Sequence, residues 1–198
     1  MKTPLLLATH NDGKVREFAR LLPDFALTGA GALKLEAPEE TGQTFIENAL
    51  IKARAGAQAS GLPTLADDSG LIVPSLGGAP GVYSSRYAGP EATDQENWQA
   101  LLKALEGNPD RRAAFYCVLV VLSHPEDPCP RIAEGLWAGE IALAPEGEGG
   151  FGYDPVFWVP SHGCTAARLA PEEKAAQSHR GRAVAALKAQ LAERPLTP

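Results

Sequence analysis

From Ala113 to Leu122 the chain runs for ten residues without a charged side chain, its longest apolar stretch. That is half of the ~20 residues a membrane-spanning helix needs. Its β-branched and aromatic content predicts a strand buried on both faces, which obliges helices to cover its sheet. The rest of the sequence supplies them. Leu5 to Ala8 reads as a short buried strand, followed by a polar loop and an amphipathic helix with Val15, Phe18, Ala19 and Leu22 on one face. Thr44 and Glu47 form a capping box that opens a helix running toward Ala59, and Leu62 to Ala66 returns as a strand ending at Asp67 and Asp68. A second capping box, Thr93 with Glu96, opens a helix with a Trp98, Leu101, Leu102, Leu105 stripe, closed by Gly107 and Pro109. Strands are expected again over Ile132 to Ile141 and Val156 to Val159, and a helical region begins at Pro171 and bends near Gly181. Strands interleaved with helices predict an α/β fold with a mixed central sheet flanked by helices. With 198 residues, 44% of them hydrophobic, and no linker to divide it, the chain reads as a single domain over 1–198, or two tightly fused lobes.

Asp67 and Asp68 sit between apolar residues, in Thr64-Leu65-Ala66-Asp67-Asp68-Ser69-Gly70-Leu71-Ile72-Val73. Burying a carboxylate costs several kcal/mol unless a cation or donors compensate it, so the pair points to a metal site or a catalytic carboxylate. A turn that ends the strand at Ser69-Gly70 explains the same residues.

Further segments carry candidate chemistry. Thr9-His10-Asn11-Asp12-Gly13-Lys14 leads from a strand into a helix, where leading N–H groups and a lysine can meet an anion; a plain helix cap by Asn11 or Asp12 fits as well. It is no Walker loop, since Ala8 holds the first glycine position and Val15 follows the lysine. Glu39 and Glu40 lie in an acidic turn before a helix on which Asn48 and Lys52 share a side. Gly149-Gly150-Phe151-Gly152-Tyr153-Asp154-Pro155 reads as a lip whose aromatics either stack on a base or tuck into the core. Asp154, preceding Pro155, is expected to be extended. Lys174 and Ser178-His179-Arg180 lie on C-terminal helices, where cations near a helix end need no function.

In this order, the segments from about Leu5 to about Leu187 resemble the inosine triphosphate pyrophosphatase (Ham1-like) family of house-cleaning nucleotide hydrolases. The resemblance implies two lobes with the active site in a cleft, a homodimer, and hydrolysis of ITP, dITP and XTP to the monophosphate and pyrophosphate. It implies that Mg²⁺ is held by Glu39 and Asp68, with Asp68 also positioning or deprotonating the attacking water. Thr9, His10, Asn11, Asp12, Gly13 and Lys14 then bind phosphate, Lys14 and Lys52 neutralise the leaving pyrophosphate, and Ser69 joins the substrate site. Phe151, Gly152, Tyr153, Asp154, Lys174, His179 and Arg180 complete the nucleotide site. The family's usual Thr-Gly-Asn reads Thr9-His10-Asn11 here, which bears on how closely the backbone approaches a phosphate. Asp67, on the opposite strand face from Asp68, is expected to act behind it. Selectivity for a C6 oxygen over an amino group is expected from donors: His179, Arg180 and the N–H groups of the glycine-rich lip.

The formal net charge of −6 argues against a general nucleic-acid binder. The absence of a secretory or membrane-length apolar segment leads to the expectation of a cytoplasmic protein that engages no membrane. Cys117, Cys129 and Cys164 lie far apart, with no Cys-x-x-Cys pair. Two rivals are a non-catalytic purine nucleotide sensor and a pyrophosphatase for modified pyrimidines. A degenerate metal site would mark the first, and the Phe151 and Ser178-His179-Arg180 blocks speak against the second.

Overall fold

The computed structural model describes residues 2–196. Its elements are β1 (Thr3–Leu7), α1 (Asp12–Leu21), β2 (Phe25–Gly29), α2 (Phe45–Ser60), β3 (Thr64–Ile72), α3 (Asp94–Ala104), β4 (Arg112–Leu122), β5 (Arg131–Ile141), β6 (Phe157–Val159), β7 (Cys164–Thr165), α4 (Pro171–Gln177) and α5 (His179–Glu193). They form one seven-stranded sheet in the order β2-β1-β3-β4-β5-β6-β7, with helices beside it. The sheet is mixed. β1 pairs parallel with both β2 and β3, whereas β6 runs antiparallel to β5 and β7. The long apolar run is β4, and Cys117 to Leu122 within it are wholly buried.

Contacts gather the chain into two compact units. The first holds the described residues up to Asp68, Cys117–Gly135, and those from Gly181 onward. Its core joins Leu5, Leu7, Phe18, Leu22, Leu65, Leu119, Val121 and Leu187. The second unit holds Ser69–Tyr116 and Leu136–Arg180, around Leu71, Leu101, Leu105, Phe115, Trp137, Val156 and Phe157.

Local sequence explains the helix ends. Asn11 caps α1 by accepting the Lys14 N–H, and reciprocal boxes open α2 at Thr44–Glu47 and α3 at Thr93–Glu96. α2 stops at Gly61, whose φ of 69° is left-handed.

Four elements differ from the sequence reading, the unexpected two-residue β7 among them. β3 does not end at Asp68 but continues through Ser69 and Gly70 to Ile72, so no turn interrupts it. The C-terminal helical region breaks at Ser178, the C-cap of α4, rather than near Gly181. Finally, Phe25–Gly29 forms an unexpected strand whose mostly half-exposed residues leave little periodic signal.

Candidate active site

In the first unit, the parallel register sets the geometry. Leu7 stands opposite Leu65, so Asp67 lies at the level of Thr9, where β1 gives way to the loop before α1. α1 then returns Lys14 in its first turn, and the Lys14 Nζ lies 2.8 Å from Asp67 Oδ2. Asp68, the next residue, is met from α2, where Lys52 Nζ lies 2.8 Å from Asp68 Oδ1. The two carboxylates are therefore served by separate lysines. The same Lys52 ammonium lies 3.2 Å from Glu40 Oε1.

Charge and burial are balanced within this group. Burial pushes the Asp68 carboxyl above the usual carboxylate range, and Lys52 offsets that only in part. For Lys52, burial works against the ammonium, but Asp68 and Asp67 outweigh it and hold the amine above its ordinary value. Lys52 is thus held as a cation beside the Asp68 carboxylate.

Glu40 is the glutamate that faces this group. Glu39 is exposed and forms no ion pair among the described residues. The loop before α2 sets which one turns inward. Gly42 N–H donates to Asn48 Oδ1 at 2.8 Å, and the N–H groups of Gln43 and Thr44 donate to Glu47 Oε2. A Cβ on Gly42 would lie 2.6 Å from the Glu47 Cβ and 2.7 Å from Asn48 Oδ1, so the close approach requires glycine. Asn48 is therefore an anchor for this loop.

The carboxylates fit a divalent cation. Asp68 and Glu40 already converge on one positive charge, Lys52, and hard ions take oxygen donors. No group of three or more His, Cys, Asp or Glu side chains is arranged to hold a metal ion among the described residues. Magnesium requires none, since it commonly binds one or two carboxylates, substrate phosphates and water.

Thr9, His10 and Lys14 line a cavity of about 170 Å³ together with Glu36, Glu40, Lys52 and Asp67. Thr9 Oγ1 accepts the Asn11 N–H at 3.2 Å, while Asp12 and Gly13 form the first turn of α1, whose leading N–H groups lack intrahelical acceptors. His10 does not take up the positive φ that glycine permits. Its ring bonds instead to the Leu35 carbonyl, 2.7 Å from Nε2.

In the second unit, the lip divides its aromatics. Phe151 is 58% exposed, whereas Tyr153 is buried and donates its hydroxyl to the Ser84 carbonyl at 2.8 Å. Burial holds the Tyr153 phenol well above its usual range. Asp154 is not extended, as its place before Pro155 suggested, but opens a 3-10 turn. Buried there, it accepts the Phe151 N–H at 2.8 Å and pairs with Lys174. Gly150, at φ 78°, leaves room for that carboxylate. Lys174 Nζ and the Arg180 guanidinium lie 5.0 and 5.8 Å from the Phe151 ring centre.

His179 and Arg180 are buried and are the first two residues of α5. The macrodipole favours cations at the other end of a helix, so the bland account of this pair loses its force. The His179 ring stacks on Phe115, 4.8 Å away at 13°. Two expected base donors are committed elsewhere. Phe151 N–H serves Asp154, and Gly152 N–H donates to Asp94 Oδ2 at 2.7 Å. Ser69, half-buried on β3, belongs to this unit. Sequence reasoning missed the contacts of Glu40, Asp94 and Phe115. Adjacency to Glu39 pointed toward Glu40, but Asp94 read only as part of a helix start and Phe115 only as core.

The Ham1 family model matches residues 5–190. Curated relatives include the dITP/XTP pyrophosphatases of Shigella flexneri, 58% identical, and of Escherichia coli strain K12, 56% identical. Each match covers 91% of this chain and 93% of the relative. Among solved structures, a HAM1 protein from Coxiella burnetii superposes with a TM-score of 0.91 at 50% identity, covering 96% of this chain and 99% of that one. The Staphylococcus aureus Ham1 protein gives 0.89 at 42% identity, with 96% and 99% covered. Extent and identity together place the chain in the Ham1 family.

Proposed function

We propose that this protein hydrolyses the nonstandard purine nucleotides ITP, dITP and XTP to the monophosphate and pyrophosphate. The observation that carries the reading is the pair of buried carboxylates on β3, each met by its own lysine, in a chain 58% identical to a dITP/XTP pyrophosphatase. A strand interior gains nothing from two adjacent acids, whereas phosphoanhydride hydrolysis uses such a set to position water and balance charge.

Asp68 orients the attacking water and accepts its proton as the water oxygen bonds to the α-phosphorus. The bond from that phosphorus to the oxygen bridging toward the β-phosphorus breaks, and the electron pair leaves with pyrophosphate. Lys14 and Lys52 neutralise that charge, and the first turn of α1 receives phosphate oxygens. Asp67 keeps Lys14 in place. Asp68 with the Glu39–Glu40 pair would hold Mg²⁺, which supplies charge neutralisation on the phosphates when bound. Phe151 stacks on the base, and His179 with Arg180 donates to the C6 oxygen of hypoxanthine or xanthine. We place the enzyme in the cytoplasm as a homodimer that engages neither nucleic acid nor membrane; no helix among the described residues is long and apolar enough to cross one.

The test is product identification by phosphorus NMR with ITP and Mg²⁺. IMP and pyrophosphate are expected, with no turnover in EDTA. IDP and orthophosphate as first products would refute the reading.

A further inference from the structure

The segment that carries Glu39 and Glu40 is held by very little. Residues 30–35 form a compact turn, in which the N–H groups of Leu33 and Leu35 both donate to the Ala30 carbonyl and that of Lys34 donates to Gly31. Beyond it, no backbone hydrogen bond holds residues 36–41 among the described residues. The next anchor is Gly42 on Asn48, at the start of α2. Between these points the strap touches the site through the ion pair of Glu40 with Lys52. Its free end is fixed by one side chain from another element, the His10 imidazole on the Leu35 carbonyl.

We propose that His10 is a positioning residue, a staple between the phosphate loop and the strap that bears the two glutamates. A carbonyl oxygen can only accept, so His10 Nε2 carries the proton in this contact. That Nε2 proton is spent on the strap rather than on a phosphate oxygen. His10 and the strap residues Leu35, Glu36 and Glu40 line the same cavity as Lys14 and Lys52, so loosening one wall moves carboxylates relative to phosphate-binding lysines. Replacing His10 by glycine removes that contact and should loosen the strap. The role in catalysis rests on the pyrophosphatase reading; the tether itself does not.

The test compares His10→Ala, His10→Gly and His10→Gln, the last able to donate to the same carbonyl. In metal-free protein, amide hydrogen exchange at Lys34 and Leu35 should accelerate in the Ala and Gly variants and return toward the wild-type rate in Gln. With ITP, the Mg²⁺ concentration for half-maximal rate should rise about two- to tenfold in Ala and Gly, more than kcat falls, and recover in Gln. Unchanged exchange at Lys34 and Leu35, or a Gln variant no better than Ala, overturns the staple. Faster exchange with unaltered Mg²⁺ saturation overturns its role toward the carboxylates. Should the wild type fail to hydrolyse ITP, the proposed function falls and the exchange measurement alone decides the tether.

Discussion

Replacing Lys52 by methionine keeps an unbranched stem in α2 and deletes the charge that serves Asp68 and Glu40. The Asp68 and Lys52 side chains are 12% and 13% exposed, so the lost contact is a largely desolvated one. Removing one partner of such a pair typically costs about 3–5 kcal/mol. Protonation of Asp68 sets a ceiling. An unfolded aspartate titrates near ~3.9, and neutralising it costs about 1.4 kcal/mol for each pH unit above that, or about 4 kcal/mol at pH 7. Glu40, more exposed, adds little. We therefore expect a loss of about 2–4 kcal/mol at pH 7. The pH dependence has a definite sign. Asp68 already has a raised pKa through burial, and loss of Lys52 raises it further. For an acid whose folded pKa is raised, the destabilisation exists above the unfolded value and fades as pH falls through the folded one. At pH 5 the same ceiling drops to about 1.5 kcal/mol. Urea unfolding of wild type and variant at both pH values, without magnesium, measures the difference. An equal deficit at pH 7 and pH 5, or one below about 0.5 kcal/mol at pH 7, refutes the reasoning. Adding Asp68→Asn to Lys52→Met should restore most of the loss; if it restores none, the lysine stem rather than its charge was responsible.

Three further outcomes are expected. Asp68→Asn should abolish ITP turnover while keeping the native circular dichroism spectrum, whereas Asp67→Asn retains measurable activity because it releases Lys14 but leaves Asp68 in place. Glu40→Gln should raise the Mg²⁺ concentration needed for half-maximal rate more than Glu39→Gln does, as a titration of rate against Mg²⁺ will show. With matched substrates, kcat/KM for ITP should exceed that for ATP by roughly 10² or more, and Arg180→Ala should narrow the gap; equal rates for ITP and ATP in the wild type would sink the donor argument.

What the sequence disclosed follows the range of the interactions involved. The capping boxes at Thr44 and Thr93 were legible because each closes within three residues, and the two starts lie where those pairs put them. The length of β3 was not legible. Asp67, Asp68, Ser69 and Gly70 carry the composition of a turn, and what keeps them in a strand includes Lys14, 53 residues away, and Lys52, 16 residues away. The lip shows the same limit. Its glycines announced a loop, but that Tyr153 turns inward depends on the Ser84 carbonyl, 69 residues distant. Choosing Glu40 over Glu39 depends on a loop path fixed by Gly42 against Asn48, where no periodicity exists to be read.

The places where local rules fail are the places where the proposed chemistry resides. Two adjacent acids inside a strand oppose β propensity, and a buried arginine, Arg180, in the first turn of α5 opposes the helix dipole. Neither arrangement is explained by the stability of its own element. Asp67 and Asp68 are compensated by lysines brought from α1 and α2, so the fold sustains the exception at the level of tertiary contacts. His179 is likewise held flat against Phe115 on β4, a contact from another element. Natural sequences keep such exceptions chiefly where function needs them. On that ground alone Asp68 and His179 would rank above the equally polar but locally satisfied Glu47 and Glu96, whose carboxylates are spent on capping their own helices.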